Sequence, residues 1–151
     1  MRLLIQKVKN AKVLVSGLEV GKISKGLLVF QAVEDIDNQR DIDWLVNKII
    51  NLRIFNDSNG VMNISVKEAG GDILVVSQFT LMASIKKGNR PSYARASDKN
   101  YAKIMYEKFI KDLSNSFEKK IECGVFRANM EVELVNDGPI TILMDSKNKE
   151  W

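Results

Sequence analysis

Residues 2–9 and 11–16 alternate apolar and polar positions in strand fashion, Ser16-Gly17 reads as a turn, and 19–24 alternates again. Gly26 then opens the apolar run Leu27-Leu28-Val29-Phe30, the pattern of a short buried strand. Ile42, Leu45, Val46, Ile49 and Ile50 recur at helical spacing, with Asp37 or Asp41 available as a cap near the start. Asn59-Gly60 signals a tight turn. After Gly70-Gly71, residues 73–76 (Ile-Leu-Val-Val) read as a central strand. A second helix is predicted from about Asp98 to Lys119, with Tyr101, Met105, Phe109, Leu113 and Phe117 as its apolar stripe. Three strands are predicted near the C-terminus, over 121–126, 130–135 and 139–144, and a polar tail over 146–151 is expected to fray. Many strands with two helices and no repeat or linker indicate one α+β domain over 1–145, built on antiparallel sheet.

One stretch interrupts this pattern. Residues 135–141 (VNDGPIT) lie between two strand-like runs, yet proline lacks the N–H for a ladder and glycine weakens a strand. Asn-Asp-Gly is turn chemistry, so a hairpin turn is the plain local reading.

Composition narrows the chemistry. The 151 residues suffice for one domain with its own core. No apolar run reaches the roughly 18 residues that a membrane span needs, and the N-terminus lacks a signal-peptide layout. With one cysteine, Cys123, no internal disulfide can form, which fits a cytoplasmic address. Cys123 itself reads as a small core residue. There is no histidine. That removes the commonest general base and metal ligand, and leaves any catalysis to carboxylates, lysines, hydroxyls, main-chain groups or the substrate. No metal and no cofactor are expected. The net charge of +4 suits a polyanionic partner such as RNA, as it would also suit a lysine-rich proteome.

Two stretches can carry chemistry. Ser77-Gln78-Phe79-Thr80 caps the predicted central strand, where hydroxyls and open N–H groups can surround a reacting carbonyl. Those hydroxyls can equally satisfy local backbone. The loop Lys86-Lys87-Gly88-Asn89-Arg90-Pro91-Ser92-Tyr93-Ala94-Arg95 offers Lys86, Lys87, Arg90 and Arg95 to phosphates and Tyr93 to a base; a solvated loop is the alternative. Its spacing is not that of a Walker loop.

Taken together, Val75-Val76-Ser77-Gln78-Phe79-Thr80-Leu81, Lys87-Gly88-Asn89-Arg90-Pro91-Ser92-Tyr93 and Val132-Glu133-Leu134-Val135-Asn136-Asp137-Gly138-Pro139-Ile140-Thr141 resemble the D-aminoacyl-tRNA deacylases. The opening Ile5-Gln6-Lys7-Val8 and Leu52-Arg53-Ile54-Phe55 fit as well. The resemblance implies a compact, barrel-like, mainly antiparallel β domain with two main helices packed outside. It implies hydrolysis of the ester joining a D-amino acid to the terminal adenosine of tRNA, and of glycyl-tRNA mischarged on tRNA-Ala. Its partners would be the aminoacylated 3′ end of tRNA and a second copy of the chain, with active sites at the interface and no membrane. Gly138-Pro139 would form a cis peptide that crosses into the partner's pocket and rejects L-amino acids. Ser77, Gln78, Phe79 and Thr80 would hold the reacting end, with catalysis by main-chain groups and the substrate's 2′-OH. Phe126 and Met130 would line an adenine pocket. Lys7 stands where the family usually has an arginine that anchors the glycine–proline loop. Ser84-Ile85 replaces a usual Asp-Thr, and Gly124-Val125-Phe126 a usual Gly-Arg-Phe.

Two other readings stand beside the deacylase. One is a non-catalytic RNA-binding β module that uses the basic loop. The other is a hydrolase with Thr80 as nucleophile, for which no activating base is evident.

Overall fold

The structure is a computed structural model describing residues 1–150; Trp151 lies outside the described residues. The chain runs β1 (Arg2–Val15), β2 (Leu18–Ile23), β3 (Gly26–Ala32), α1 (Gln39–Asn51), β4 (Phe55–Asn56), β5 (Met62–Ile64), β6 (Asp72–Ser77), a single 3-10 turn (Phe79–Met82), α2 (Lys99–Phe117), β7 (Glu122–Cys123) and β8 (Glu131–Asp145). The main sheet has the order β2-β1-β3-β6-β7, with β8 on the other edge of β1. β1 pairs antiparallel with β2, β3 and β8. The sheet is mixed, because β3–β6 and β6–β7 are parallel: each of those connections runs through a helix. β2 curls back against β7 so closely that a Cβ on Gly21 would fall 2.8 Å from the Cys123 carbonyl oxygen. That approach nearly closes the sheet into a barrel, which requires glycine at this position.

Strands β3 and β6 are buried on both faces, as unbroken apolar runs require. Leu27, Val29, Ile73 and Val75 face a core shared with Ile42, Leu45 and Ile49 of α1 and Phe109, Leu113 and Phe117 of α2. Leu28, Leu74 and Val76 face the barrel interior with Val8, Ala11 and Val13. α1 is capped by Asn38, not by Asp37 or Asp41; Asp41 instead closes a capping box onto the Asn38 N–H. Asp37 is taken by the buried α-ammonium of Met1. α2 begins on its Asp98 cap and ends at Glu118 in left-handed geometry. Asn59-Gly60 turns the chain between β4 and β5.

Four local expectations change. The first predicted strand pair is the single strand β1. Of 121–126, only Glu122–Cys123 pairs, and Cys123 is half-buried instead of belonging to the core. The tail is docked at its start: Ser146 is buried, and Lys147 donates to the Asp41 carboxylate at 2.7 Å and the Ile36 carbonyl at 3.1 Å.

The fourth change is at VNDGPIT, which is not a hairpin turn. Strand pairing runs through it, with Thr141 opposite Gln6 and Asn136 opposite Val8. Residues 137–140 therefore bulge out opposite Lys7 alone. The strand absorbs glycine and proline because neither is asked to join the ladder. Gly138-Pro139 is cis and exposed, and Gly138 has φ +125°, a backbone open to glycine. Lys7, itself buried, places its ammonium 3.4 Å from the Asp137 carboxylate at the base of the bulge. That is a point-charge contact, in place of the two-pronged grip of an arginine.

Candidate active site

A cavity of about 600 Å³ opens at the C-terminal end of β6. Val76, Ser77, Gln78 and Phe79 form one wall, Tyr93 and Ser97 another, and Tyr106, Phe126 and Met130 a third. β6 delivers the first group because its apolar run ends at Ser77, where the backbone leaves the sheet. The Gln78 N–H donates to the Gln31 carbonyl at 2.7 Å, and the chain then tightens into the 3-10 turn. The opening N–H groups of such a turn have no acceptor within it. Those of Phe79 and Thr80 donate to no backbone carbonyl among the described residues. Arg2 holds the turn from behind, donating to the Leu81 carbonyl at 3.0 Å while pairing with Asp145 at 2.8 Å. The Thr80 hydroxyl accepts from the Gln78 amide at 2.5 Å. With no histidine in the chain, the usual partner that activates a hydroxyl nucleophile is missing, and the side-chain contact of Thr80 is to an amide, which is not a base.

The apolar walls are aromatic. Phe79, more than half exposed, meets Tyr93 edge-on with ring centroids 5.0 Å apart. Phe126 packs on Tyr106 at 5.5 Å. Burial drives the Tyr106 phenol well above its ordinary value, aided by the neighbouring Cys123, so it stays neutral and donates to the Val75 carbonyl at 3.1 Å. Burial also raises the Cys123 thiol, which disfavours the thiolate that nucleophilic chemistry needs.

The structure thus gathers Ser77, Gln78, Phe79, Phe126 and Met130 around one cavity, with Thr80 next in the turn. Lys86, Lys87 and Arg90 lie on the exposed loop that leaves this turn, and none is ion-paired among the described residues. Arg95 differs, since its guanidinium is paired with Glu34 at 2.5 Å. Gly138, Pro139 and Lys7 form their own group on the β8 bulge and do not line this chain's cavity.

The family model for D-Tyr-tRNA(Tyr) deacylase matches residues 4–145. The chain belongs to that family. Among its relatives, the D-aminoacyl-tRNA deacylase of Flavobacterium johnsoniae is 58% identical over 99% of this chain and 100% of that protein. That of Bacteroides thetaiotaomicron is 55% identical over the same shares. Among solved structures, a c-Myc DNA unwinding element binding protein superimposes with a TM-score of 0.92 at 35% identity, over 96% of this chain and 98% of that one. A probable eukaryotic D-amino acid tRNA deacylase shares the fold, with a TM-score of 0.81 at 17% identity over 95% and 97%. The barrel-like α+β reading of the sequence holds.

Among the cavity residues that sequence reasoning missed are Gln31, Lys99, Tyr106 and Arg127. Tyr106 adjoins Met105 on the α2 stripe, and that widening was its signal. Gln31 sits at the end of an apolar run, 2% exposed, with its Oε1 unpartnered among the described residues. Lys99 and Arg127 carry no periodic signal, because rim residues on a helix start and a turn follow no pattern.

Proposed function

We propose that the protein hydrolyses the ester of D-aminoacyl-tRNA, releasing free D-amino acid and tRNA, and that two copies build each active site. The observation that carries this reading is a mismatch of position. The turn that would hold the ester lies in the cavity, whereas Gly138-Pro139 projects from the opposite edge of β1 into solvent. A second copy resolves the mismatch by bringing its bulge over this cavity. β8 also offers fifteen residues with one edge unpaired among the described residues, and such an edge favours a partner.

In this account the terminal adenine lies against Phe126 and Met130. The ester carbonyl faces the Phe79 and Thr80 N–H groups, which stabilise the oxyanion as water adds. The C–O bond to the ribose then breaks, and the adjacent 2′-OH assists the departing 3′ oxygen. Chirality is decided by the partner's main chain. With the amino group and carbonyl fixed, the two enantiomers differ only in where the side chain points. Main-chain oxygens along one direction leave room there for hydrogen alone, and no rotamer change can relax them.

The same wall passes glycine, including glycine mischarged on tRNA-Ala. The test is the ratio of deacylation rates for glycyl- and L-alanyl-tRNA on one tRNA body. In an ordinary apolar pocket a methyl group discriminates by about 1–3 kcal/mol, or roughly 10–200-fold; a rigid wall takes the ratio to the top of that range or above it. Equal rates contradict the steric account.

A further inference from the structure

The cavity mouth carries two cations that the reaction above does not use. Lys99 lines it from the first residue of α2, and Arg127 from the turn between Phe126 and Met130. Both are exposed, and neither is ion-paired among the described residues. The acids that the fold brings to the segment leading into α2 are already engaged. Asp98 accepts from the Asn100 and Tyr101 N–H groups, Asp35 from the Ser97 hydroxyl, and Glu34 pairs with Arg95.

Folding does not favour either cation where it stands. A lysine at the first position of a helix faces the positive end of the helix dipole. Arg127 has φ +68°, a left-handed backbone that side chains other than glycine, asparagine and aspartate rarely adopt. Residues kept at local cost cluster at functional sites, and here two of them share one cavity mouth.

We propose that Lys99 and Arg127 hold the phosphodiester that joins the terminal adenosine to the rest of the tRNA. This rests on the deacylase reading. Arg127 lies between the two residues assigned to the adenine and is exposed at the mouth of the same cavity, where the rest of the tRNA must leave it. A guanidinium matches a phosphate with paired donors, and the lysine adds a point charge from the start of α2.

The experiment compares D-tyrosyl-tRNA with 3′-O-D-tyrosyl-adenosine, which has the same ester and nucleoside but no phosphate. It uses the full-length protein and the variants Arg127→Gly and Lys99→Gln. Glycine suits φ +68°, and glutamine removes a charge that opposes the helix dipole, so neither change threatens the fold. The quantity read is the ratio of kcat/KM for the two substrates. It should fall about tenfold in each variant, mainly through KM on the tRNA, as loss of one charged hydrogen bond to phosphate implies. Arg127→Lys should restore part of it. A ratio unchanged in both variants, with the parent active on both substrates, overturns the phosphate rim alone. A parent that cleaves neither substrate overturns the deacylase reading and the rim with it.

Discussion

Replacing Gly138 by alanine tests the bulge at its tightest point. A Cβ there would lie 2.8 Å from Ile140 Cγ1 and 3.1 Å from the Ile140 amide nitrogen, on a backbone with φ +125°. The backbone conformation costs a side-chain-bearing residue about 1–3 kcal/mol. The clash with Ile140 adds about 1–3 kcal/mol of overpacking, because Ile140 is anchored against the main core and its amide nitrogen cannot rotate away. A domain of this size has about 5–15 kcal/mol of stability, so the variant should fold but melt roughly 4–24 °C lower, at about 2–4 °C per kcal/mol. Melting followed by circular dichroism gives that number. Deacylation of D- and L-tyrosyl-tRNA by the same sample, well below its melting point, gives the functional one. A displaced wall should narrow the preference for the D substrate. A variant that melts within about 1 °C of the parent and keeps its full D preference would refute both the strain and the wall.

Thr80→Ala should lose only the hydroxyl's bond to Gln78 and keep substantial deacylase activity; complete loss in a folded protein, with an acyl-enzyme trapped in the parent, would identify Thr80 as a nucleophile. Replacing any two of Lys86, Lys87 and Arg90 by alanine should reduce the salt dependence of tRNA binding by about 0.7–0.9 of a slope unit for each phosphate no longer neutralised. Arg95→Ala should shift that slope less, because its charge is already matched by Glu34; an equal effect from all four would count against that distinction. Burial works to raise Asp145 and Asp41, but hydrogen bonds and charge from Arg2 and Lys147, with nearby main-chain donors, outweigh it and hold both below their ordinary 3.8. Carboxylates depressed in the folded state stabilise it above that value and cease to do so as pH falls through their folded values. Melting temperature should therefore hold steady from about pH 7 to 5 and drop below about pH 4, with a shallower drop in Asp145→Asn.

The elements dominated by one periodicity are legible in the sequence. The stripe of α2, the helical spacing of α1 and the apolar runs of β3 and β6 each point to one buried face, or two, and the structure buries them. Residues whose role depends on distant partners are not. Asp37 and Asp41 each look like a helix cap, and only the fold brings the Met1 ammonium to Asp37 and Lys147 to Asp41. Gly138-Pro139 looks like a hairpin, because local chemistry cannot reveal that β1 pairs with both sides of it. Arg95 looks free in its loop, since its partner Glu34 is sixty-one positions away in sequence. The end of β6 is legible for the opposite reason: the four buried apolar residues at 73–76 are followed directly by Ser77 and Gln78, and the sheet ends at Ser77.

The central claim is that this fold cleaves one enantiomer of an aminoacyl ester and spares the other. Matched D- and L-tyrosyl-tRNA, prepared on the same tRNA and incubated with the protein at equal concentration, test it most directly. The account predicts rapid release of D-tyrosine and L-tyrosyl-tRNA that survives as long as it does without enzyme. Protection of both esters would instead mean a binding module, and equal cleavage of both would remove the chiral wall from the account.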